Sequence, residues 1–312
     1  MGGSDDASLV CLLLIKLALA MPKQPSVASL LKRFDRWATP TLVAVGLALL
    51  VLETIRPLRR RTRPRTERWS RNLGLAAPSL VAMRFTLLPA LAGLTYWATR
   101  RGFGLLLRLP PPLRITAELL VLDYVAYTWH RLLHAPVLWR LHRVHHIDLD
   151  MDLTTAWRFH FGEMLASIPY RAGLPALLGV RPGTVLAYEV AFEACTAFHH
   201  SNLRLPLNLE RHVVKWLVTP RAHGIHHSVV HRETQSNFGV GLTLWDRLHH
   251  TLRLNVPQQQ ITIGTPAFPD ADAQTIKDLL RLPLAPLRPW VRPDGTVPTR
   301  PEPISPLHQL AE

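Results

Sequence analysis

Only two cysteines, Cys11 and Cys195, occur in the 312 residues, and both lie in apolar segments. Neither a disulfide framework nor a cysteine-based metal site is implied. Acidic residues are scarce beside basic ones, 22 against 36, for a formal net charge of +14. Such a balance can mark a nucleic-acid binder, but no recognition module accompanies it and no nucleic acid is expected. Instead eight arginines crowd into residues 56–71 directly after an apolar run, where topogenic charge is found. No flavin, haem or iron–sulfur motif is visible. Asp5 and Asp6 stand where a signal peptide would be positive. No internal repeat exists beyond two short histidine elements.

Long apolar runs separated by arginine-rich loops, with 48% hydrophobic residues overall, point to an all-α integral membrane protein rather than a soluble globule. Residues 7–20 read as a weak membrane segment interrupted by Lys16; translation starting at Met21 is the alternative. Thr39 to Ile55 is the first full span, short at roughly 1.5 Å per residue but adequate with helpful flanks. If the arginine block is cytoplasmic, residues 73–98 run outward and 115–130 return, which places everything after His130 on the cytoplasmic face. Arg100, Arg101, Arg108 and Arg114 weigh against that parity, and a re-entrant path for 100–114, with its three consecutive prolines, is the alternative. Ile147 to Phe161 is polar and expected at the membrane interface. Met164 to Val180 and Thr184 to Phe198, separated by Arg181-Pro182-Gly183, read as a helical hairpin. Three regions result: an N-terminal segment 1–38, a membrane domain 39–252 with a cytosolic histidine-rich cap, and a proline-rich tail 253–312 with a helix expected at Ala271 to Leu282.

The chemistry is carried by histidine. His130 and His134 are four apart, and His142, His145 and His146 form HxxHH, a spacing that His223, His226 and His227 repeat. On a helix, HxxHH puts two imidazoles on one face and turns the adjacent one by about 100° toward a neighbouring ion. Two such motifs and the HxxxH pair supply donors for a two-metal site with room for an exogenous ligand. Imidazole alone leaves zinc, copper, iron and nickel open. One of His199 and His200 is the expected ninth ligand, His200 ahead of His199. Asp123 and Tyr127 share the helical stripe of His130 and His134. Arg158, His160 and Glu163 are expected to orient ligands or stand beside them, as a carboxylate does by accepting an imidazole N–H, and His199 stands next to His200. His231, His249 and His250 read as surface or supporting histidines, His212 and His308 as ordinary ones.

HRLLH at 130–134, HRVHH at 142–146, TTAWRFHFGE at 154–163, HHSN at 199–202, HGIHH at 223–227 and SNFGVGLTLWDRL at 236–248 together resemble the fatty acid hydroxylase superfamily of membrane proteins, over about residues 40–252. The resemblance implies two non-haem irons on the cytosolic side of a four-helix membrane bundle. It carries iron onto His130, His134, His142, His145, His146, His200, His223, His226 and His227, and adds Asn237 and Asp246 to the supporting positions. Two departures stand out. Phe161 replaces a proline frequent in the family, and His249-His250 replaces its aromatic-Gly pair; both bear on subfamily and substrate.

The function expected from the resemblance is dioxygen-dependent hydroxylation or desaturation of a fatty acyl, sterol or ether lipid lying in the bilayer. Electrons would come from outside, from a ferredoxin or a b-type cytochrome with its reductase, either suited to a basic cytoplasmic face. A membrane zinc hydrolase is a rival, although typical zinc sites use three protein ligands. A metal carrier or bis-histidine haem protein is another.

Overall fold

The computed structural model describes residues 26–272 and 274–301, so the stretch at 7–20, Met21 and His308 lie outside the described residues. Among the described residues the only β-pairing is three isolated bridges. The helices are α1 (Val27–Ile55), α2 (Arg65–Ala82), α3 (Leu88–Arg100), α4 (Pro111–Leu133), α5 (Pro136–His146), α6 (Phe161–Arg171), α7 (Gly173–Leu178), α8 (Pro182–His200), α9 (Leu207–Val213), α10 (Pro220–His226), α11 (His231–Thr234), α12 (Leu244–Leu248) and α13 (Ile276–Arg281). Prolines start α4, α5, α8 and α10, where the missing N–H has no helical partner and the fixed φ suits the first turn.

α1 begins at Val27 rather than at Thr39: the polar turns before the apolar run are already helical, capped by the Ser26 side chain accepting from Ser29 N. A π-helical turn, Met83–Leu87, joins α2 to α3 in one 36-residue rod. α1 and this rod are each long and apolar enough to cross a membrane. On α1, Val43, Leu47, Val51 and Ile55 repeat every four residues and are all more than half exposed, an apolar stripe turned away from the protein. The expected hairpin at 164–198 is present as α6, a break at Ala172, α7, and α8, with Gly179 at φ +81° making the turn.

The helices meet at two ends. At one end, Arg181 pairs with the buried Glu118 at 2.8 Å, and Gly104 packs so close to Gly179 that a Cβ would lie 2.3 Å from its Cα. Between the ends, Leu87, Leu88, Leu91, Leu122, Val185 and Leu186 belong to the main apolar core. At the other end Glu53, in the last turn of α1, accepts from Leu153 N (3.0 Å) and Asn202 N (2.8 Å) and pairs with Arg65 (3.1 Å). The ends of α1, α2 and α8 are stitched there by one carboxylate.

The polar stretch 147–161, expected at a membrane interface, is interior instead. Ile147, Asp148, Met151, Asp152 and Thr155 are buried, because their polar groups have partners inside the protein. Arg68 donates to Asp148 at 2.8 and 3.0 Å and to Asp152 at 2.6 Å, and Asn72 donates to Asp148 at 3.2 Å. Burial alone would raise the Asp148 pKa, but Arg68 and Arg158 outweigh it and hold the carboxyl well below the usual range. The arginine block is thus partly structural: Arg59 and Arg68 are buried, while Arg56, Arg60 and Arg63 are exposed. The tail packs onto the same layer. Arg143 donates to the carbonyls of Leu282, Ala285 and Pro286 at 2.5–2.8 Å. Leu279 is buried with Leu75, Val144 and Ile147. Its helix covers Ile276–Arg281, shorter than the 271–282 expected, since Thr275 caps it.

Arg68→Met strands two buried carboxylates, so it should destabilise the fold by roughly 3–5 kcal/mol. Thermal unfolding of the detergent-solubilised protein checks this, and an unchanged midpoint would contradict the placement of Arg68.

Candidate metal centre

The layer held by these contacts contains two groups of histidines. His130, His134, His142, His146 and His226 each offer a ring nitrogen within 4.8 Å of the others, and His145, His200, His223 and His227 do the same. Together they are the nine residues named as ligands from the sequence. The spacing explains the partition. In α5, His142 and His146 are one turn apart and face the first group, while His145, about 100° round the helix, faces the second. In α10 the pattern is complementary: His226 joins the first group, and His223 and His227 the second. The end of α4 adds two donors to the first group and the end of α8 one to the second.

Hydrogen bonds fix several rings. His130 Nδ1 lies 2.8 Å from Phe238 O, His200 Nδ1 2.8 Å from Thr196 O and His226 Nδ1 2.7 Å from Ser236 O. A carbonyl only accepts, so each Nδ1 carries the proton and each Nε2 keeps its lone pair for the centre. His142 Nδ1 faces Glu163 Oε2 at 3.2 Å in the same way, as expected of that carboxylate.

The inward nitrogens have no adequate protein partner. Both ring nitrogens of His134 and His146, together with His142 Nε2 and His226 Nε2, are buried without one. In the second group His200 Nε2 lies 3.0 Å from His145 Nε2 and 2.9 Å from His223 Nε2, which is itself 3.2 Å from His227 Nε2. One lone pair cannot satisfy two donors, so these contacts are not a self-contained hydrogen-bond chain. Burial, and then repulsion from neighbouring histidines, push the pKa of His145, His146, His223, His226 and His227 well below the ordinary value. Neutral imidazoles with converging lone pairs fit a pair of metal ions.

The supporting residues act at different removes. Asp246 accepts from Phe238 N and Gly239 N at 2.8 Å and from the Thr251 hydroxyl at 2.7 Å. It thereby holds the loop whose carbonyls orient His130 and His226; burial raises its carboxyl to about 6. Asn237, at φ +52°, ties that loop to Ala222 O and to the backbone of Arg253. Asp123 touches no histidine of the centre: it accepts from Tyr188, Trp245 and Leu242 N, fixing the segment around Gly241. Arg158 donates to Val144 O, Asn72 and Gln274, bracing α5 just before its last two histidines. His160 belongs to neither group: it caps α6 by accepting from Gly162 N, and its other nitrogen meets Leu280 O. His199 also stays outside both groups, its Nδ1 on Val240 O at 3.1 Å.

His249 stacks on Tyr124 and Tyr127, and His231 on Trp290 edge-on; neither is in a metal group. The carbonyls of Ser236, Phe238 and Val240, which serve three histidines from alternate residues, escaped the sequence reading because a backbone atom has no residue-type signature. The cavity escaped it too. A cavity of about 80 Å³, partly open to the outside, runs from His130, His142, His145, His199, His200 and His223 between the helices, with Met83, Trp129, Leu133, Met164 and Phe192 on its walls.

Glu163→Gln keeps the shape but loses the charge facing His142, and should weaken metal binding roughly 10 to 100-fold. Competition with a chelator of known affinity measures it. Wild-type affinity in the variant would deny Glu163 that role.

The fatty acid hydroxylase family model matches residues 115–251. Ornithine lipid hydroxylase OlsE of Rhizobium tropici is 30% identical over 160 residues, 49% of this chain and 45% of that protein. Cholesterol 25-hydroxylase of Rattus norvegicus is 28% identical over 189 residues, 58% of this chain and 61% of that protein. Alkylglycerol monooxygenase of Xenopus tropicalis is 28% identical over 141 residues, 44% and 29% respectively. The matched stretches thus span between 29% and 61% of those relatives' own length. No solved structure matches. All nine histidines lie inside the matched region, and over residues 115–251 the chain is similar to the fatty acid hydroxylase family.

Proposed function

We propose that the protein is a multi-pass membrane oxidoreductase that uses dioxygen and external electrons to hydroxylate or desaturate a lipid. The observation that carries this reading is the nine-histidine, two-group centre at the head of an apolar cavity. Two iron ions would be held by His130, His134, His142, His146 and His226 and by His145, His200, His223 and His227. When bound, they would supply dioxygen activation and the removal of hydrogen from an unactivated C–H bond. The named activities of the relatives, lipid hydroxylation and alkylglycerol oxygenation among them, support the same class.

The chain's own part is positioning. The apolar walls exclude water and lay an acyl chain or sterol against the six histidines that line the cavity head. Glu163 holds the Nδ1 proton of His142, and the Ser236, Phe238 and Thr196 carbonyls hold those of His226, His130 and His200. Every such proton is directed away from the centre. Electrons would come from a ferredoxin or a b-type cytochrome with its reductase, docking on a cap that exposes Arg56, Arg60 and Arg63.

That cap is placed on the cytoplasmic side. The exposed arginines support the assignment. The opposite end exposes Arg100, Arg101 and Arg108 as well, while Arg181 is neutralised by Glu118 and Arg114 donates to the carbonyls of Leu107 and Leu109. Cysteines introduced at Lys277, exposed on the cap, and at Arg101, exposed at the far end, should react with a membrane-impermeant maleimide from the cytoplasmic and the opposite side respectively. The reverse pattern would overturn the orientation while leaving the metal centre intact.

Gently purified protein should carry about two irons per chain, and His145→Ala or His226→Ala should remove most of the metal, whereas His249→Ala should retain it. Metal analysis, an optical spectrum and mass spectrometry of a lipid extract after incubation with reductant and dioxygen provide the readout. Stoichiometric zinc supporting turnover without reductant would refute the reading in favour of hydrolysis.

A further inference from the structure

The cavity is not apolar throughout. Beyond the histidines and Glu163 its wall includes Arg171, Glu193 and Thr196. Arg171 is matched within the protein: its guanidinium donates to both Glu189 oxygens, at 2.9 and 2.8 Å, and lies 4.5 Å over the Phe192 ring. Glu193 has no hydrogen-bond partner among the described residues; Glu189 and, in the opposite sense and more weakly, Arg171 act on it through charge. Thr196 is also without one. Helical threonines elsewhere in the chain bond back to the carbonyl four residues earlier, as Thr95, Thr99 and Thr128 do. The Thr196 hydroxyl does not, although the residue is only 4% exposed. A buried hydroxyl with nothing to bond to costs about 1–3 kcal/mol.

Glu193, Thr196 and His200 follow one another at intervals of three and four residues and so share one stripe of α8. Along the axis Thr196 lies ~6 Å and Glu193 ~10 Å from His200. We propose that Glu193 and Thr196 form a polar subsite that accepts a hydrogen-bond donor of the substrate, a hydroxyl or an amide N–H, and thereby fixes which carbon lies against the histidines. The proposal rests on the lipid-oxidising reading and deepens it. The substrate is then a lipid that bears such a donor near the carbon attacked.

The test compares two lipids of equal chain length, one with an amide N–H in place of the ester linkage of the other, on the full-length protein in nanodiscs. Kd for each is measured on metal-free protein by quenching of tryptophan fluorescence, and kcat and KM on the iron-loaded protein by product mass spectrometry. Wild type should prefer the amide. Glu193→Leu and Thr196→Val should cut the amide-to-ester preference by tenfold or more, chiefly through Kd and KM. Glu193→Gln and Thr196→Ser, which keep an acceptor, should restore most of it, and the position of oxidation should spread along the chain in the Leu and Val variants. Proportional losses for both lipids, leaving the preference and the oxidised position unaltered, would overturn the subsite and assign the residues to packing or proton delivery. Selective binding lost in the variants, with no oxidation of either lipid by wild type, would instead retain the subsite and refute the proposed chemistry.

Discussion

Nine imidazoles share one buried layer, and every other feature of the cap follows from keeping them neutral and aimed. A buried neutral imidazole has one N–H to donate and one lone pair to satisfy. Here the N–H groups of His130, His200 and His226 are spent on outward carbonyls and that of His142 on Glu163. The lone pairs then point inward, where no protein donor can satisfy them all. Cations between the two groups would satisfy those lone pairs.

Aiming is achieved mostly by backbone. The loop from Ser236 to Val240 offers the carbonyls of three of its residues to His226, His130 and His199. That run is in turn fixed by Asp246, which takes two of its N–H groups, and by Asn237, whose left-handed backbone turns the chain between them. Asp123 anchors the far side through Trp245 and Leu242. The carboxylates therefore reach the centre at one remove.

The family match covers 115–251, but the support of the centre extends beyond it. Arg68 and Asn72 of α2 hold the acidic stretch at 148–155, Glu53 of α1 holds Leu153 and Asn202, and Gln274 of the tail completes Arg158. The apolar helices and the tail are thus joined to the histidine layer by buried, charge-assisted bonds, which are stronger than neutral ones. An arginine block that looks topogenic serves two purposes: some members face outward, while Arg59 and Arg68 bind the cap together.

The sequence alone determined the donors. Spacing of four, or of three and one, on helices is a local property, so HxxxH and HxxHH announce which imidazoles share a face. It likewise determined the helical class and the apolar segments, since both are written in period and run length. Only the tertiary structure decided the rest. It divided nine histidines into five and four, because that depends on how α4, α5, α8 and α10 meet. It took 147–161 inside, because a polar segment can be buried wherever distant partners such as Arg68 satisfy it. It assigned His160 to a helix cap and His249 to an aromatic stack, since a histidine's role depends on what it touches. And it placed Glu193 and Thr196 on a cavity wall, a feature made from the space between helices that no single stretch of chain encodes.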